Sequence, residues 1–197
     1  MTCGGRGARP LIYLGDVMPT NAKTKAKRSA DRKARDAESP REAKTPKTEE
    51  MNAIEFLERD HRQVEGYFEE FEQLEDEGGK SELAQKICMA LTVHMQVEEE
   101  IFYPAARKAT TDDDLLDEAV VEHAGAKNLI AEIEEMEPGE DLFDAKVKVL
   151  GEMIRHHVEE EEQELFPEVE DSDMDTDAVG AQMAKREAEL MKELHQA

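Results

Sequence analysis

His94-Met95-Gln96-Val97-Glu98 and His157-Val158-Glu159-Glu160-Glu161 each set a histidine and a glutamate four residues apart, and the two segments lie 63 residues apart. On an α-helix, positions i and i+4 share one face, with Cβ atoms about 6 Å apart. One helix can therefore aim both side chains at a single point. The segments that follow also match. Glu98-Glu99-Glu100-Ile101-Phe102-Tyr103-Pro104 repeats as Glu161-Glu162-Gln163-Glu164-Leu165-Phe166-Pro167. His61 and His123 recur at nearly the same interval, so the chain reads as a duplicated helix pair.

Outward from these segments, apolar residues recur every three or four positions. The first stripe is Ile54, Leu57, His61, Val64, Phe68 and Phe71, broken at Gly78-Gly79. The second is Leu83, Ile87, Ala90, His94, Val97/Glu98 and Ile101, bent or ended near Pro104. The third is Leu116, Ala119, His123, Ala126, Ile130 and Ile133, with N-caps offered by Asp112 to Asp114 and a stop at Pro138-Gly139. The fourth is Phe143, Val147, Leu150, Ile154, His157, Glu161 and Leu165, running toward Pro167. No segment alternates with period two. Four helices of roughly 25 residues joined by short loops predict an all-α, up-down-up-down four-helix bundle. After an acidic linker at 171–177, Val179, Met183, Leu190 and Leu194 predict a shorter fifth helix.

The anomaly is polar. One histidine sits on every core-facing stripe, and the second and fourth stripes add a carboxylate. A bundle interior excludes such groups unless they are paired. His61, His94, Glu98, His123, His157 and Glu161 therefore form a candidate metal site. Four imidazoles and two carboxylates are too many for one tetrahedral zinc. They suit two octahedral ions bridged by the carboxylates, and iron accepts both ligand types.

This set resembles the hemerythrin/HHE cation-binding family: Asp60-His61, His94-x-x-x-Glu98, Glu122-His123 and His157-x-x-x-Glu161, with the Glu-rich and Phe-Pro flanks. The likeness covers about residues 52–168. It implies a non-haem di-iron centre, oxo- or hydroxo-bridged, that binds dioxygen or a related small molecule. In this reading His61 and His94 hold one iron, His123 and His157 the other, and Glu98 and Glu161 bridge. The chain departs from the family's oxygen carriers, whose fifth histidine would fall at Lys127, and its last carboxylate follows its histidine by four residues rather than five. Fewer histidines leave both irons open, which favours sensing, iron storage or redox turnover over carriage. The alternative is a di-iron enzyme acting on peroxide or nitric oxide, or an iron donor for iron–sulfur cluster repair.

Several neighbours of the site have two or more readings. Glu65 is the repeat equivalent of Lys127. It is an extra ligand, the partner of Lys127 in an ion pair, or solvated along with it. Asp60 and Glu122 precede ligand histidines and are acceptors for ring N–H groups or plain surface acids. The other acids of the Glu98–Glu100 and Glu159–Glu162 runs read as solvated helix faces. His157 rather than His156 is selected by the repeat, and His195 lies outside it.

Charge divides the chain into a basic leader at 1–50, a bundle at 51–170 and a C-terminal segment at 171–197. Residues 1–50 carry 12 Lys and Arg against 7 Asp and Glu, with little that is large and apolar from Asn21 to Thr48, and read as a disordered tail. Residues 51–197 carry 13 Lys and Arg against 42 Asp and Glu. So acidic a body repels nucleic acid and anionic lipid, leaving at most weak nucleic-acid contact through the tail. Two cysteines, Cys3 and Cys88, exclude a disulfide scaffold and point to a reducing, cytoplasmic setting. No apolar run approaches a membrane span. A ferritin-like di-iron bundle needs two Glu-x-x-His motifs, and only Glu58 to His61 fits. A metal-free interaction module would leave six polar core residues unexplained.

Overall fold

A computed structural model describes residues 51–111, 113–194 and 196, and all regular structure among them is helical. The basic leader, Asp112 and His195 lie outside the described residues. The elements are α1 (Ala53–Gln73), α2 (Glu77–Val97), α3 (Tyr103–Ala109), α4 (Asp113–Glu134), α5 (Phe143–Glu160), α6 (Phe166–Glu170) and α7 (Thr176–Leu194). α1 packs against α2, α5 and α7, and α4 against α2 and α5.

Local chemistry sets the helix starts. Asn52 caps α1: its side chain accepts from the Ile54 and Glu55 backbone N–H groups, and Glu55 accepts in return from the Asn52 N–H. Asp76 caps α2 by accepting from the Gly79 N–H at 2.7 Å. Gly78 and Gly79 are thus the first turn of α2 rather than the break after α1, which ends at Gln73.

The two prolines also behave differently from expectation. Instead of ending the helix, each follows a π-helical turn, Glu98–Phe102 between α2 and α3 and Glu161–Leu165 between α5 and α6. A π turn inserts one residue, so the N–H of Tyr103 bonds to the carbonyl of Glu98 and that of Phe166 to Glu161. The wider turn leaves room for a proline ring that would otherwise clash with the preceding turn, and the rod continues. It also swings Tyr103 and Phe166 onto the face that carries the glutamates.

The stripes read from the sequence are buried, apart from half-buried Ala90 and Ile101. They form two apolar clusters. One is centred on Phe56, Phe102, Leu116, Phe166 and Met183, the other on Phe68, Ile87, Leu91, Ile130 and Leu150. Between them lies a polar layer: Leu57 and Val64 flank His61, Ala119 and Ala126 flank His123, and Ile154 and Leu165 flank His157 and Glu161. Among the methionines, Met95 is fully buried, whereas Met89 is exposed at the surface.

α7 is part of the first cluster through Val179, Met183 and Leu190, while Leu194 is exposed. Gly180 crosses the start of α1 closely. A Cβ there would sit 2.5 Å from the Met51 carbonyl oxygen and 2.8 Å from the Ala53 nitrogen. Backbone atoms cannot step aside, so Gly180→Ala is expected to destabilise the protein by about 1–3 kcal/mol, as overpacking does. Thermal unfolding checks this, and an unchanged midpoint would show that α7 is loosely held.

Candidate metal centre

His61, His94, Glu98, His123, His157 and Glu161 are all at most 6% exposed. α1, α2, α4 and α5 each bring one histidine, and the first residue of each π turn brings a glutamate. All six predicted residues meet at one buried point. Ligand atoms of His61, His94, Glu98 and Glu161 lie within 4.8 Å of one another, as do those of Glu98, His123 and His157.

The carboxylates span the two groups. Glu98 Oε2 lies 3.3 Å from His94 Nε2 and 3.4 Å from His123 Nε2. Glu161 Oε2 lies 3.3 Å from His61 Nε2 and 3.6 Å from His157 Nε2. All four Nε2 atoms face inward, and His123 and His157 bring theirs to 3.1 Å.

The outward Nδ1 atoms face carboxylates from a neighbouring helix. Glu162 sits 2.9 Å from His61, Glu99 3.0 Å from His123, Glu122 2.9 Å from His157 and Asp60 3.6 Å from His94. At His61, His123 and His157 the carboxylate is within hydrogen-bond distance of Nδ1, holds the proton there and turns the Nε2 lone pair inward, the arrangement that metal-bound imidazoles use; Asp60 stands beyond that distance from His94. Asp60 and Glu122 serve a histidine across the bundle, not the one beside them in sequence. Glu99 and Glu162, read as solvated, do the same work. The repeat could have revealed them, because each follows a bridging glutamate at equivalent positions.

Two remaining expectations are corrected. Lys127 does not meet Glu65. It donates to both carboxylate oxygens of Glu99 at 2.6 Å, and so backs the acid that holds His123. Glu65 accepts from Arg155 Nε at 3.0 Å and is not a ligand. His156 points outward, 60% exposed, toward Glu122 and Glu160. Tyr103, absent from the sequence-derived set, is buried and donates to Glu161 Oε1 at 2.9 Å. Cys88 is a free, buried thiol pushed up to about 12 by burial, which makes it inert as a nucleophile.

Electrostatically the cluster is frustrated. Burial, then Glu161, pushes the Glu98 carboxyl above its usual range. Burial would raise Glu161 too, but His157 and His61 outweigh it and hold that group low. Burial and the adjacent His157 drop His123 to about 2, so it is neutral at any working pH. Burial, with Glu161 and Glu98 nearby, keeps the Tyr103 phenol well above its ordinary value. His61 Nε2, both oxygens of Glu98 and Oε2 of Glu161 are buried on the inner side without a hydrogen-bond partner, and so, on the outer side, is His94 Nδ1. Such orphaned atoms each cost about 1–3 kcal/mol. A divalent or trivalent cation satisfies the four inner atoms together, so the donor set fits a metal.

Access is narrow. A cavity of about 10 Å³ lies against His61, His94, His123 and His157, with Leu91 and Ile154 also in its wall. A cleft of about 270 Å³ reaches His61 beside Arg62, Arg155 and Glu162. A smaller one of about 70 Å³ reaches His123 and His157. None of the described helices is long and apolar enough to cross a membrane.

Known proteins resemble this chain. The chain is 30% identical over 118 residues to a DNA nickase of Nostoc sp., a stretch that is 60% of this chain and 33% of that protein. It therefore spans about a third of that relative's length. A crystal structure of a hemerythrin HHE cation-binding domain-containing protein from Mycobacterium kansasii superposes with a TM-score of 0.60 at 20% identity, covering 71% of this chain and 87% of the other. That likeness shows a shared hemerythrin-like helical fold. The profile of the Hemerythrin HHE cation binding domain matches residues 52–169, the span that holds all six converging side chains, and the chain belongs to that family.

Proposed function

We propose that the six buried residues hold two iron ions and that the protein binds dioxygen or a related small molecule there, or stores or senses iron itself. The observation that carries the reading is the inward convergence of four Nε2 atoms on two buried carboxylates, each within 3.6 Å of a histidine from either group. His61 and His94 would hold one ion and His123 and His157 the other, with Glu98 and Glu161 shared between them. The short connections between rods support an up-down-up-down arrangement of α1, α2–α3, α4 and α5–α6. Two irons supply reversible one-electron chemistry and a place for an exogenous ligand. The chain supplies the pocket: Leu91 and Ile154 give an apolar wall to a cavity of about 10 Å³ beside the four histidines, room for a molecule about the size of water. The free thiol of Cys88 agrees with a cytoplasmic setting.

An enzyme acting on peroxide or nitric oxide is the second reading. It is favoured by Lys127, which pairs with Glu99 where an oxygen carrier would place a further histidine. DNA cleavage, the activity in the name of the Nostoc relative, fits poorly with a body of 42 acidic and 13 basic residues.

Untagged protein is expected to retain two irons per chain by elemental analysis and to show oxo-bridged ferric bands when oxidised. Iron-free protein that cannot be loaded would end the reading. Peroxide added to the reduced, loaded protein then separates the two functions. A single stoichiometric change marks a binder, and sustained gas evolution marks the enzyme.

A further inference from the structure

The site is built by a repeat, yet one pair of equivalent positions differs. Tyr103 and Phe166 each come five residues after a bridging glutamate, just past the π turn. Phe166 lies parallel to the His61 ring at 5.9 Å and offers no polar atom. Tyr103 brings its hydroxyl to 2.9 Å from Glu161 Oε1, 3.3 Å from His123 Nε2 and 3.5 Å from His157 Nε2.

Those distances have a simple reading. An octahedral ion with bonds of about 2.1 Å holds neighbouring ligand atoms about 3 Å apart. His123 Nε2 and His157 Nε2 are 3.1 Å apart, and the Tyr103 oxygen stands at comparable distances from both and from a bridging carboxylate. It therefore occupies a vertex of the polyhedron those groups describe. Resting on the di-iron reading, we propose that Tyr103 is a sixth-position ligand to the ion held by His123 and His157, and that the exogenous molecule binds only at the ion held by His61 and His94.

With two histidines, two bridging carboxylates, bridging solvent and the phenolate, the first ion is saturated. The second has Phe166 in place of the phenol and keeps one position open. This restores an inequality between the two ions that the histidine count alone would not produce. A phenolate is a hard anionic donor suited to ferric iron. On loading, the O–H bond breaks, the electron pair becomes the bond to iron and the proton leaves to water. The larger cleft, about 270 Å³, also opens on the His61 side.

The test is spectroscopic. The protein is loaded with ferrous iron, oxidised in air and examined by visible absorption and resonance Raman scattering. The expected result is a phenolate-to-iron charge-transfer band with tyrosine ring modes. The band, read per iron retained, disappears in Tyr103→Phe and persists in the Tyr13→Phe/Tyr67→Phe double variant, where Tyr103 is the sole tyrosine. Azide titrates once per centre in the parent and twice in Tyr103→Phe. If Tyr103→Phe fails to fold, the double variant with ring-deuterated tyrosine still decides: its ring modes must shift. Iron-loaded, oxo-bridged protein without a phenolate band, or a band that survives in Tyr103→Phe, overturns the inference while leaving the di-iron reading intact. Protein that takes up no iron overturns both.

Discussion

His94→Ala and His157→Ala variants are expected to bind less than half the iron of the parent while keeping nearly all its helicity. Each removes one inward Nε2 and frees the outward carboxylate, Asp60 or Glu122, that held it. Loss of a ligand falls directly on metal affinity, and even the partners behind ligands are worth roughly 10- to 100-fold. The fold has other support. The two apolar clusters on either side of the polar layer keep the contacts their Leu, Ile and Phe residues make with one another, each side chain stabilising by about 1.5–3 kcal/mol. Elemental analysis and far-ultraviolet circular dichroism measure the two effects separately. Full iron content in both variants would remove His94 and His157 from the site.

The second large effect is linkage between metal and stability. A metal that binds only the folded chain, at 100 times its dissociation constant, contributes about 2.7 kcal/mol. For a chain of this size that raises the unfolding midpoint by roughly 5–10 °C. The gain depends on pH in a definite direction. Burial works against the His157 imidazolium, but Glu161 and Glu122 outweigh it and raise the group to about 9 from an ordinary 6.5. His61 and His94 are shifted the same way, by Glu161 and Glu162 and by Glu98 and Asp60 respectively, against burial. In metal-free protein the resulting stability is fully present below about pH 6.5 and is lost as pH rises through about 9. Metal needs neutral imidazole, so its affinity grows across the same window. Added metal is therefore expected to raise the midpoint more at pH 9 than at pH 6. Melts with and without metal at both values test this, and an equal or reversed increment would contradict it.

Much of this was legible along the chain. The ligand set and the stripe residues follow from a period of 3.6, because a helix fixes which residues share a face regardless of what it packs against, whereas Phe56, Leu91, Phe102 and Phe166, central to the two clusters, lie off the stripes read from the sequence. The two His-x-x-x-Glu segments and their repeat were enough to place six side chains at one depth. The acids outside that set were misread for a geometric reason. Glu99 and Glu162 each stand one residue, about 100° of helical rotation, beyond a bridging glutamate. That rotation carries them off the central axis and against the neighbouring helix, where they meet His123 and His61. By residue type they match the solvated glutamates beside them; only their repeated place after a bridging glutamate sets them apart.

Local order thus reached as far as each rod's own face: which stripe residues turn inward, and that histidines and acids share a layer. The partners chosen across rods came from packing alone, since they depend on each helix's rotation and axial offset against its neighbours. So did Lys127 on Glu99, α7 seated over the start of α1 through Gly180, and the π turns that carry Tyr103 to the centre. A one-residue widening of a helix leaves no mark on hydrophobic period beyond a proline that fails to stop the rod; both halves share it, and they differ in what it carries inward, Tyr103 in one and Phe166 in the other.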